Sequence, residues 1–153
     1  MRLEFLTPEA VLAGLRANGK KHLLQELSAH AGRALGMPKR EIFDSLLQRE
    51  RLGSTGIGNR IAIPHCKLPR LNRLFGLIAR LDRPIHFEAV DGEPVDIVFL
   101  LLAPDGAGAD HLKALARVAR MLREPSVLER IRAARDASAL YAVLSNAPEP
   151  KAA

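Results

Sequence analysis

The chain has 153 residues, 48% of them hydrophobic, enough to bury one core without disulfides or metal. Its single cysteine excludes an internal disulfide framework, and neither the start MRLEFLTPEA nor any later run has the apolar length of a leader or a membrane span, so a cytoplasmic protein with no membrane role is expected. A formal charge of +6 calls for anionic partners, but 4% aromatic residues and no tryptophan leave little to stack on bases.

The first predicted helix covers Lys20 to Leu35, where Leu23, Leu24, Leu27, Ala31, Ala34 and Leu35 form one apolar stripe. Pro38 is placed as the first residue of a second helix, whose stripe of Ile42, Phe43, Leu46 and Leu47 runs up to the GSTGIG turn. Three apolar strands follow, IGNRIAI, LFGLIARL and VDIVFLLL, with the turn-rich RPIHFEAVDGEP between the last two. VDIVFLLL is interrupted only by Asp96, the pattern of a central strand covered on both faces. After the APDGAGAD loop, Leu112, Leu115, Val118, Ala119 and Leu122 mark a further helix, and Pro125 and Asp136 each open a shorter one. The expected fold is α/β, a three-layer α/β/α sandwich with a mixed central sheet flanked by helices on both sides. Residues 1–146 are expected to form one domain and 147–153 a frayed tail.

Chemistry concentrates in GSTGIGNRIAIPHCK, Gly53 to Lys67. Gly53, Gly56 and Gly58 allow backbone N–H groups close to an anion, and the hydroxyls of Ser54 and Thr55 add donors, so Ser54, Thr55 and Gly56 are assigned to a phosphate-binding loop. Asn59 and Arg60 stand where a Walker A pattern requires Lys and Ser/Thr, so no nucleotide and no other cofactor is expected. His65, at a strand end beside this turn, suits a phosphoryl acceptor, because a neutral imidazole keeps one lone pair for attack on phosphorus. Its other nitrogen needs an orienting acceptor such as a backbone carbonyl, with Pro64 fixing the backbone that aims the ring. The plainer alternative is a histidine that merely ends an edge strand.

Two helpers follow from helical phase. Arg49 lies on the apolar stripe near the end of its helix, either snorkelling over the core edge or turned to the loop to neutralise phosphoryl oxygens. His111 follows Asp110, a plausible N-cap, and shares the inward face of Leu115, Val118 and Leu122. It is either a core histidine or a neutral donor to phosphate, kept neutral by the helix dipole. His22, His30 and His86 read as surface residues, and Cys66 should point away from His65 as its strand neighbour. No HExxH or CxxC spacing supports a metal site.

At RERLGSTGIGN, IAIPH, PVDIVFLLLAP and DHLKALA the sequence resembles the IIA proteins of the bacterial phosphoenolpyruvate-dependent phosphotransferase system, in the mannitol and fructose class, and among them the nitrogen-regulatory IIA proteins. The resemblance implies an α/β sandwich, a phosphohistidine at His65, a supporting histidine at His111 and a supporting arginine at Arg49. It also implies an HPr-like phosphocarrier as donor and a regulatory role read by other proteins, with a stand-alone sugar-specific IIA passing phosphate to a IIB domain as the alternative. The family usually has glycine at the positions of Arg60 and Cys66, and both replacements are expected to crowd His65, with Cys66 a potential oxidation point. From another class, a nucleic-acid-binding regulator is suggested by Lys113, Arg117 and Arg120 along one helix face.

Overall fold

The structure, a computed structural model, describes residues 3–146; the tail 147–153 lies outside the described residues. In chain order the elements are β1 (Leu6–Leu15), α1 (Lys20–Leu35), α2 (Lys39–Arg51), β2 (Gly56–Gly58), β3 (Ile61–Ala62), β4 (His65–Leu68), β5 (Phe75–Ile85), β6 (Val95–Pro104), α3 (Gly108–Met121), α4 (Pro125–Ala133) and α5 (Ala137–Ser145).

The sheet is mixed and six-stranded, and β6 is its hub. β5 lies antiparallel on one side of β6 with β1 parallel beyond it; β3 and β4 both run parallel along the other side, and β2 closes on β3 as an antiparallel hairpin. Every residue from Val95 to Ala103 is buried, as expected of a strand covered on both faces. Helices provide that cover in an α/β/α arrangement. Cys66 lies next to Ser45 of α2, which packs on β4, while its neighbour His65 meets His111 of α3, so α2 and α3 lie on opposite faces. α1 packs on α2, and α5 packs on α4 and β1.

Local chemistry explains the element ends. Gly36 takes the left-handed conformation that stops α1, donating its N–H to the Gly32 carbonyl. Pro38 is the N-cap of α2 rather than its first helical residue. Pro125 opens α4, and the Asp136 carboxylate caps α5 by accepting from Ala139 N at 2.8 Å. Asp110 is not a cap: α3 starts at Gly108, so Asp110 is inside the first turn, where its charge still favours the helix dipole. Arg80 of β5 donates to the Ala13 carbonyl of β1 at 2.9 Å and to the Ile131 carbonyl near the end of α4 at 2.8 Å, tying sheet to helix.

Three sheet features depart from the pattern read in the sequence. LTPEAVLAGL is the edge strand β1 despite Pro8, its pairing with β5 broken by register shifts. IGNRIAI is not one strand but the hairpin β2–β3, turned by Asn59 and Arg60 at φ 55° and 66°. His65 does not end that strand; it begins β4, after a gap at Ile63–Pro64. Because Ile61 and Ala62 face Ile97 and Val98, and His65 to Leu68 face Leu101 to Pro104, β3 and β4 form one line along β6 with that gap inside it.

Candidate active site

The gap positions His65. Pro64 has no N–H to give the ladder, although its carbonyl still accepts from Leu101 N at 2.9 Å. The Ile63 N–H turns to the Thr55 carbonyl at 3.0 Å, and the Ile63 carbonyl lies 2.8 Å from His65 Nδ1. A carbonyl can only accept, so Nδ1 carries the proton and the lone pair of the neutral ring is on Nε2. Burial pushes the His65 pKa below the usual imidazole range; the Ile63 carbonyl pulls it back in part, the Arg49 charge lowers it further and Glu50 opposes that. The net lowering favours the neutral ring, with its free lone pair on Nε2.

His111 is the fourth residue of α3 and is buried. Its ring meets that of His65 edge to face, with centroids 5.6 Å apart. Burial first, then the charges of His65 and Lys67, hold its pKa down. Its Nε2 is buried and, among the described residues, has no hydrogen-bond partner. Leaving such a group unpaired costs about 1–3 kcal/mol, a cost that an arriving hydrogen-bond partner would remove. Arg49, in the last turn of α2, donates from Nη1 to the Gly53 carbonyl at 2.9 Å, and its charge is felt at His65. The three side chains proposed from the sequence thus come from an edge strand, a helix start and a helix end to one place.

The turn is arranged differently from a free anion cradle. Ser54 Oγ donates to the Phe87 carbonyl at 2.9 Å and accepts from Gly56 N at 3.1 Å. Thr55 gives both its N–H, at 3.0 Å, and its hydroxyl to the carboxylate of Glu50. At Gly56 a Cβ would meet the Ala89 Cα at 2.9 Å, so this glycine serves close strand packing. The donors of Ser54, Thr55 and Gly56 are thus engaged within the protein. Glu50 was not singled out from the sequence, because a glutamate at the charged end of a helix ordinarily faces water.

Arg60 and Cys66 do not crowd His65. The Arg60 guanidinium is bound to Asp96, which also holds Arg132 at 3.0 Å, and Cys66 is buried on the α2 face of β4. Burial pushes the Cys66 thiol up to about 11, so it is a poor candidate for oxidation. On the basic face of α3, Arg117 is engaged by Glu4 at 3.1 Å.

A mixed six-stranded sheet with helices on both faces is the fold of a IIA-type domain. The chain belongs to the family described as phosphoenolpyruvate-dependent sugar phosphotransferase system, EIIA 2, which matches residues 4–147. It is 58% identical over 145 residues, 95% of each chain, to a nitrogen regulatory protein of Bradyrhizobium diazoefficiens. It is 41% identical over 146 residues, 94% of this chain and 95% of the other, to one of Pseudomonas aeruginosa. The crystal structure of nitrogen regulatory protein IIA-Ntr from Neisseria meningitidis superposes with a TM-score of 0.87 at 31% identity, covering 92% of this chain and 97% of that one. No helix among the described residues is long and apolar enough to cross a membrane.

Proposed function

We propose that the protein is a cytoplasmic phosphohistidine carrier that accepts a phosphoryl group on Nε2 of His65 from an HPr-like phosphocarrier protein and acts as a nitrogen or metabolic regulatory IIA protein. The observation that carries this reading is the fixed His65 ring, with Nδ1–H held by the Ile63 carbonyl and Nε2 left as nucleophile next to an unpartnered histidine nitrogen. In the transfer, the Nε2 lone pair forms a bond to phosphorus while the bond from phosphorus to the donor's leaving group breaks, and that leaving group keeps the electron pair. The His65 ring then carries positive charge, which the Ile63 carbonyl stabilises through Nδ1–H. Arg49 and His111 are assigned to the equatorial phosphoryl oxygens, as charge and as hydrogen-bond donor. The reaction is that of a phosphotransferase with a covalent intermediate.

The regulatory branch is favoured over the sugar-specific one by relatives of similar length that are named nitrogen regulatory proteins. Incubation with phosphoenolpyruvate, an enzyme I homologue and an HPr-like carrier should place an acid-labile phosphate on His65. Equal labelling of His65→Ala would overturn the assignment, and rapid onward transfer to a IIB domain would favour the sugar reading.

A further inference from the structure

The side chain of Glu50 is only 3% exposed, and it joins three parts of the chain. Its carboxylate receives the Thr55 N–H and hydroxyl from the turn and an ion pair at 3.0 Å from Lys20, the first residue of α1. Lys20 is itself fixed, its Nζ 4.6 Å from the Phe87 ring centroid, and the Phe87 carbonyl takes the Ser54 hydroxyl. From this anchor a line of hydrogen bonds and a stretch of backbone reach the site. The Thr55 carbonyl accepts from Ile63 N at 3.0 Å, and the Ile63 carbonyl accepts from His65 Nδ1 at 2.8 Å. In the same turn the Gly53 carbonyl, two residues before Thr55, holds the Arg49 guanidinium at 2.9 Å.

We infer that Glu50 is a positioning residue which, with Lys20 and acting through Thr55, sets both the tautomer and aim of the His65 ring and the placement of Arg49. This rests on the phosphocarrier reading and deepens it: the Ser54–Thr55 turn is a brace behind the reacting groups. A buried carboxylate held by an ion pair and two hydrogen bonds makes a stiff anchor, because losing any one partner leaves a buried polar group unmatched.

The test combines the rate of phosphate uptake in the reconstituted cascade with nitrogen NMR of the His65 ring, whose tautomer a merely structural residue would leave unchanged. Glu50→Gln and the isosteric Thr55→Val should accept phosphate roughly 10-fold more slowly, as expected for misplaced groups, and should lose the single Nδ1–H tautomer pattern. Thr55→Ser keeps the hydroxyl and should stay within about twofold of wild type. If Glu50→Gln does not fold, Thr55→Val carries the test. Wild-type rate in folded Thr55→Val, an unchanged His65 tautomer, or a Thr55→Ser defect as large as that of Thr55→Val would each overturn the inference. Absence of phosphate uptake by the wild type would instead overturn the phosphocarrier reading, and the tautomer comparison would still judge the brace.

Discussion

The rings of His65 and His111 stand 5.6 Å apart at an interplanar angle of 71°, one from the broken edge of the sheet and one from the first turn of α3. They are not equivalent. His65 has its Nδ1 engaged and is partly exposed, whereas His111 is buried with its Nε2 unpartnered; on the proposed reading the former attacks and the latter donates.

His111→Ala should therefore slow phosphate uptake roughly 10²-fold, the usual loss for one transition-state donor, with the phosphate still on His65. His111→Gln, whose amide N–H can take over the donation, should recover part of the rate. Single-turnover kinetics check both; a glutamine variant as slow as the alanine one would count against a donor role.

On the proposed reading Arg49 holds the Gly53 carbonyl and presents its other donors to phosphoryl oxygens, a fork that a guanidinium spreads over separate nitrogens and the single nitrogen of an ammonium does not. Arg49→Lys should fall roughly 10-fold and Arg49→Ala roughly 10²-fold in the same assay. Full activity of the lysine variant would show that charge alone suffices.

The pKa values of His65, His111 and His30 are all lowered in the fold, chiefly by burial. Their contribution to stability is thus fully present above the unfolded value of about 6.5 and is lost as pH falls through the lower folded values, because the unfolded chain takes up protons the fold resists. Urea midpoints measured downward from about pH 7.5 should drop below about pH 6.5. His65→Gln/His111→Gln should show a smaller drop, leaving the part due to His30.

Arg60 occupies a left-handed turn position at φ 66°, where a side chain is strained. Arg60→Gly and Arg60→Ala both lose the ion pair to Asp96, but only glycine relieves the backbone, so the glycine variant should be about 1 kcal/mol the more stable in chemical denaturation. Both should accept phosphate at the wild-type rate, because the Arg60 guanidinium is held at Asp96.

Cys66 should resist alkylation in the folded protein at neutral pH and react readily once denatured, since its thiol is buried and raised to about 11. Thiol labelling with and without denaturant checks this directly.

The helices were legible because their stripes repeat at 3.6 residues, and helical phase offered His111, whose ring meets that of His65, and Arg49, whose charge is felt there, each beside a plainer reading as a core or snorkelling residue. β6 was legible as an unbroken apolar run. β1 was not, because Pro8 and its irregular pairing erase the alternation of an exposed edge. The β2–β3 turn was hidden because Asn-Arg lacks the glycine that usually marks such a turn. The turn's hydroxyls suggested an anion site because the sequence does not reveal that Glu50, five residues away along the chain, already receives the Thr55 hydroxyl.

The break at Ile63–Pro64 has a second consequence, for the behaviour of the protein in a crowded cell. An exposed strand edge with a continuous row of N–H and C=O groups is a template for pairing with other chains. Here β2 covers β3, Pro64 cuts the four-residue edge of β4 off from it, and the opposite edge, β1, carries Pro8 and register shifts. Neither side offers a foreign strand an uninterrupted ladder, so the irregularity that frees a carbonyl for His65 also guards the sheet against aggregation.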